Sequence, residues 1–124
     1  MSKIQKNVLG GDLELCSSDP LTGWYRDGCC NTEDNDNGLH TVCAKVNSDF
    51  LEWCKSAGND LITPHPEFGF PGLKDGDNWC VCASWFARAV EAGKECKIYL
   101  KRTNEKTLKI IPLEILKKHA IDLS

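Results

Sequence analysis

The amino-acid sequence predicts an α+β fold: a small, mainly antiparallel sheet, two or three helices on it, and a long loop-rich layer that contains many of the cysteines. Three observations lead there. His40 to Val46 and Cys96 to Lys101 alternate apolar and polar residues with the two-residue period of strands. Segments after Asn47, from about Trp79 to Ala92 and after Pro112 carry apolar residues at helical spacing. Residues 7–38 are crowded with Gly, Asp, Asn, Ser and Thr and keep neither period.

Taken in order, the first third reads as loops, with turn signals at Gly10-Gly11, Asp19-Pro20, Asp27-Gly28 and Asn37-Gly38. The strand from His40 to Val46 places Val42, Ala44 and Val46 on one side and Thr41, Cys43 and Lys45 on the other, as a half-buried strand would. Asn47 or Ser48 can cap the next helix, Phe50, Trp53, Cys54 and Ala57 give it an apolar face, and Gly58 closes it in a left-handed conformation. Residues 59–78 are punctuated by Pro and Gly and follow no period; connections of that length are often functional. Asp77 or Asn78 would cap a second helix over about Trp79 to Ala92, ended by Gly93. Cys96 to Lys101 and Thr107 to Ile111 read as an antiparallel hairpin, and Pro112 opens a last helix on Leu113, Leu116 and Ala120.

A chain of 124 residues builds one core, so we expect a single domain spanning 1–124 with its core over about 7–122. A net charge of −3 with no long basic run argues against nucleic acid or an anionic membrane surface as partner. No apolar stretch approaches the ~20 residues of a membrane span, and the N-terminus lacks a secretory pattern, so a cytoplasmic location is expected. There thiols are mostly unpaired, and the eight cysteines are then expected to serve metal binding, redox chemistry or plain burial.

Zinc is the metal that thiolates in a structural site most often hold, usually four to one ion. The candidates are Cys29, Cys30, Cys43, Cys80 and Cys82, with Cys16 and His40 beside them. Adjacent residues diverge, and residues two apart on a helix point about 200° apart. A single site would therefore take one cysteine from Cys29-Cys30, one from Cys80-Val-Cys82, then Cys43, then Cys16 or His40. Cys80 and Cys82 would join one ion together only if Cys80 lies before the helix or in a strand.

The same pair is the candidate for thiol catalysis, since a cysteine in a helix's first turn is favoured as thiolate, with His40 or His65 as possible base. Burial beside Phe86 and Val90 would work against this. In Gly23-Trp-Tyr-Arg-Asp-Gly-Cys-Cys30, Arg26 can present its guanidinium to an anion while stacked on Trp24 or Tyr25, with Asp27 at the turn; the alternative is an internal ion pair. His65 and Phe68 sit in the Pro/Gly stretch, either as a ligand-facing ridge or tucked over the core. Glu33 to Gly38 resembles a calcium loop only superficially, because its twelfth position would be Ala44.

The strings Asn7-Val-Leu-Gly, Gly23-Trp-Tyr-Arg-Asp-Gly-Cys-Cys30, His40-Thr-Val-Cys43, Gly58-Asn-Asp-Leu61, Pro66-Glu-Phe-Gly-Phe-Pro-Gly-Leu73 and Trp79-Cys-Val-Cys82 together resemble the family catalogued as domain of unknown function 2237, over roughly Asn7 to Asp122. The resemblance carries no activity. It implies that the cysteines at 16, 29, 30, 43, 80 and 82 belong to the family pattern, whereas Cys54 and Cys96 do not, which makes those two buried thiols.

Two functions stand. The first is a non-enzymatic protein with structural cysteines, possible zinc among them, and aromatic loops for a protein or small-molecule partner; its ground is that no acid–base pair is evident beside a nucleophile. The second is a thiol-dependent enzyme or redox protein centred on Cys82 or Cys80, with Arg26 binding an anionic substrate.

Overall fold

The computed structural model describes residues 5–36 and 39–122; the turn expected at Asn37-Gly38 lies outside them. Its elements in chain order are β1 (His40–Lys45), α1 (Ser48–Ser56), β2 (Asn78–Cys82), α2 (Ala83–Ala92), β3 (Lys97–Ile98) and α3 (Leu113–Lys118), with short 3₁₀ turns between. The three strands form an antiparallel sheet in the order β2-β1-β3, so the fold is α+β as expected. No helix among the described residues is long and apolar enough to cross a membrane.

Strand β1 is the centre of the sheet, and both of its faces are covered rather than one. Val42 and Ala44 turn to the main core, where Phe50 of α1 and Phe86 of α2 meet with ring centroids 6.5 Å apart. Cys43 turns the other way, into a second cluster made of Cys16, Cys30, Cys43 and Cys80 with Tyr99 against it. The loop-rich first third supplies that layer. Cys43 alternates with apolar residues and so falls on the side of Thr41 and Lys45, which the sequence predicts as the open face; here it behaves as a small buried apolar group.

Helix α1 begins where its chemistry says, with the Asn47 side chain accepting from the Phe50 N–H at 2.8 Å. It ends at Ala57, and Gly58 follows at φ 105°. Helix α2 is shorter than the sequence suggests. Residues 78–82 pair with β1 instead, in the register Lys45↔Asn78, Ala44↔Trp79, Cys43↔Cys80, Val42↔Val81, and neither Asp77 nor Asn78 caps a helix. The run Trp-Cys-Val-Cys fits a pleated, doubly buried surface better than a helix, and the 3.6-residue pattern of Cys82, Phe86 and Val90 belongs to the helix that starts only at Ala83. Gly93 ends it at φ 70°, with its N–H bonded to the carbonyls of Ala89 and Val90.

The expected second hairpin does not form. Lys97–Ile98 pairs with Ala44 and Lys45 of β1, and Glu105–Lys109 is a 3₁₀ turn. The Asp122 carboxylate draws the chain out of strand geometry by accepting from the N–H groups of Leu100 and Lys101 at 2.7 and 3.0 Å. Thr107 is fully buried, its hydroxyl 2.7 Å from that of Thr41, which a solvent-facing strand would not allow.

Candidate active-site cleft

Four of the eight cysteines are bonded in pairs, Cys16 to Cys43 and Cys30 to Cys80. The expectation of unpaired thiols therefore needs correcting for this form of the protein. Cys43 and Cys80 are opposite one another across β1 and β2, so the two bonds fasten both ends of the segment 16–30 to adjacent positions in the sheet. All four are at most 3% exposed. The sulfurs of Cys16, Cys30 and Cys80 lie within 4.8 Å of one another, close enough for one ion. A disulfide sulfur carries no thiolate charge, so this group could hold a metal only after reduction.

The remaining four divide cleanly. Cys54 and Cys96 are buried in the main core. Burial pushes the Cys54 thiol up to about 11, partly offset by the Trp85 indole N–H, which donates to its sulfur at 3.0 Å. Burial and the nearby Cys54 push Cys96 higher still. Cys29 is half-buried, its thiol also raised, first by burial and then by Asp27. Cys82 is half-buried as well, at the junction of β2 and α2, and it opens onto a cleft.

That cleft, of about 440 Å³, runs between the segment 23–26, the end of β2 and the loop 59–70. Its floor is β2 from Trp79 to Cys82 together with His40 at the start of β1, and His40 and Cys82 are register partners across the two strands. One wall is Trp24 and Arg26; the other is Asp60, His65, Phe68 and Phe70.

His40 is held from behind. Its Nδ1 lies 2.6 Å from Oδ1 of Asp36, whose side chain is wholly buried and also accepts from the His40 N–H at 2.8 Å and the Thr32 hydroxyl at 3.0 Å. In the tautomer that carries its proton on Nδ1, the imidazole donates to this carboxylate and keeps Nε2 as an acceptor. Trp24 stacks on the outer face of the same imidazole, centroids 5.7 Å apart.

Arg26 adopts φ 56°, a left-handed conformation that costs a non-glycine residue of order 1–2 kcal/mol. The turn is fixed by its N–H on the Gly23 carbonyl at 3.1 Å. Its guanidinium sits over the Trp79 ring, 5.1 Å from the centroid, with a long 3.4 Å contact to the Gly23 carbonyl and, among the described residues, no carboxylate within ion-pair reach. The stacking partner is thus Trp79, rather than Trp24 or Tyr25. Asp60 is occupied locally: the Thr63 hydroxyl, then the N–H groups of Thr63 and Ile62, hold its carboxyl down at about 2.

Of the residues singled out from sequence, Cys80, Cys82, His40, Trp24, Arg26, His65 and Phe68 line one cleft. Cys16, Cys30, Cys43 and Cys80 form the bonded layer behind it, and Cys29 belongs to neither. Tyr25 turns away to Glu33, donating its hydroxyl at 2.8 Å. Asp27 ties its own turn, accepting from the Cys29 N–H and the Asn31 amide. Asp36 was missed, because the acidic run Glu33 to Gly38 shows in sequence only a calcium-loop pattern that fails at Ala44. The available signal was its place four residues before the one histidine that begins a strand.

Fold and site together define a small α+β protein in which a disulfide-braced cysteine layer backs a cleft holding a thiol, a carboxylate-bound imidazole and a stacked guanidinium. The chain belongs to the family described as "Uncharacterized protein conserved in bacteria (DUF2237)", which matches residues 6–120. No curated protein matches it.

Proposed function

We propose that the protein is a thiol-dependent enzyme acting on a small-molecule carbon electrophile, with Cys82 as nucleophile, His40 as its base and Asp36 positioning His40. The observation that carries this reading is the buried Asp36 carboxylate on His40 Nδ1, with His40 and Cys82 paired across the floor of one cleft. A nucleophile, a base and a third group orienting the base is the arrangement by which weak nucleophiles are activated. In the step it serves, the sulfur of Cys82 gives an electron pair to an electrophilic carbonyl carbon. The carbonyl π pair moves to oxygen and the thiol proton moves to Nε2 of His40. The case for a non-enzymatic protein was the lack of an acid–base pair beside a nucleophile; the His40–Asp36 contact weakens that case. The aromatic loops expected to bind a partner are, on this reading, the walls of the substrate cleft.

Labelling with iodoacetamide under non-reducing conditions, read residue by residue by mass mapping, tests it. Cys82 should be alkylated at least tenfold faster than Cys29, the other half-buried thiol, and His40→Ala should remove most of that advantage. Equal rates at Cys29 and Cys82, or no effect of His40→Ala, would sink the proposal.

A second reading rests on the sulfurs of Cys16, Cys30 and Cys80. In the cytoplasm, where thiol reductants keep cysteines unpaired, Cys16, Cys30 and Cys80 would be three buried thiols within reach of one ion, with Cys43 in the same cluster, the kind of donor zinc prefers. Zinc and the two disulfides exclude each other. Native mass spectrometry of the reduced protein given one equivalent of zinc would detect a retained ion, and its failure to bind would leave the disulfide form as the working one.

A further inference from the structure

We infer that the substrate of this cleft carries a carboxylate, which Arg26 receives while the electrophilic carbon faces Cys82. The inference rests on the thiol reading above and adds the substrate's chemical class. Arg26 is the sole Arg or Lys among the residues lining the cleft. Its guanidinium lies over the Trp79 ring, and one N–H group makes a long contact to the Gly23 carbonyl, which leaves further donors for a ligand. A planar fork of N–H donors matches a carboxylate bidentately, which a lysine could not do.

Among the described residues this charge meets only the Trp79 ring and, at a long 3.4 Å, the Gly23 carbonyl. Among the described residues no carboxylate pairs with Arg26, and the acidic group nearest in the lining, Asp60, is turned onto its own backbone and the Thr63 hydroxyl. The strained φ of Arg26 points the same way. A non-glycine residue persists in that conformation only where its surroundings over-determine it, and such residues gather at ligand-binding sites. The turn is also tightly packed at Gly23, at φ 104°, where an added Cβ would strike the Cys29 carbonyl oxygen, so the position requires glycine. The cleft's volume of about 440 Å³ suits a metabolite-sized molecule rather than a polymer.

Iodoacetate and iodoacetamide have the same reactive carbon and differ in one having a carboxylate. With either, the Cys82 sulfur bonds to the CH₂ carbon, iodide leaves with the bonding pair, and the thiol proton passes to His40. The ratio of the iodoacetate rate to the iodoacetamide rate at Cys82 should exceed the same ratio at Cys29 by about tenfold, the size of one charge-assisted hydrogen bond. In Arg26→Gln the ratio should fall to that of Cys29, and Arg26→Lys should restore only part of it. A fast Cys82 with no preference for the anion overturns this inference and leaves the thiol reading standing, whereas a slow Cys82 overturns the thiol reading. An independent measurement covers that second case. In the Cys82→Ser protein, malonate followed by NMR should shift the Arg26 Nε and Trp79 Nε1 signals, and the absence of any shift overturns the carboxylate assignment whatever the alkylation rates.

Discussion

Cys43 and Cys80 face each other across the central strand pair, yet neither is bonded to the other: Cys43 holds Cys16 and Cys80 holds Cys30. Both bonds run from the sheet to the loop layer, so they secure the loop-rich first third of the chain.

Loop-closure entropy gives the two bonds different weights. Cys30 and Cys80 are 50 residues apart, Cys16 and Cys43 only 27, which corresponds to about 4 and about 3.5 kcal/mol. Urea unfolding should show Cys30→Ala/Cys80→Ala losing slightly more stability than Cys16→Ala/Cys43→Ala. Equal or reversed losses would mean that packing in the layer outweighs chain entropy.

Thiol accessibility follows from burial. Ellman's reagent should titrate two thiols in the native protein, Cys29 and Cys82, and two more, Cys54 and Cys96, once urea is added. Reduction before the assay should release four further thiols. Rapid native reaction of Cys54 would contradict the closed core around Trp85.

Asp36→Asn puts an amide where a carboxylate accepts from His40 Nδ1, the His40 N–H and the Thr32 hydroxyl. One NH₂ group then faces a donor, and about 2 kcal/mol of stability should be lost. The rate of Cys82 alkylation should drop with it. A stable protein with an undiminished rate would show that His40 needs no orienting carboxylate.

Asp60 sets a pH dependence on the far wall. Its folded pKa of about 2 lies below its ordinary 3.8, so its contribution is fully present above the unfolded value and is lost as pH falls from about 4 to about 2. Thermal unfolding of Asp60→Asn should show a lower Tm at neutral pH and a shallower decline across that acid range than the unchanged protein. A parallel decline in both would place the acid sensitivity elsewhere.

Much of this was legible in the sequence, for reasons that differ by element. The cap of α1 and the stops of α1 and α2 depend on local chemistry, Asn47 at the start of one and glycines after both, and local chemistry is visible in a string; the start of α2 is not. The sheet register is not. Trp79 to Cys82 satisfies a helical and a strand period at once, and only the neighbouring strand at His40–Lys45 decides between them. Divergence of neighbouring side chains limits a common set to one cysteine from each pair but leaves open which one, and whether Cys16 or His40 joins Cys43; the cluster at the sheet's second face is Cys16, Cys30, Cys43 and Cys80. Whether those sulfurs meet as ligands or as bonds depends on oxidation, which no spacing encodes. Asp36 was hidden because burial of a single acidic residue inside a polar run leaves no compositional trace.

The segment from Ser17 to Cys29, carrying Trp24 and Arg26, is bounded by two sulfur anchors that land side by side on the sheet. Its interior can therefore lengthen, shorten or change residues while His40 and Cys82, held by paired strands, stay where they are. On the thiol-enzyme proposal, specificity and reactivity would sit on separate parts of the chain, so selection could retune what the cleft accepts without rebuilding what it does.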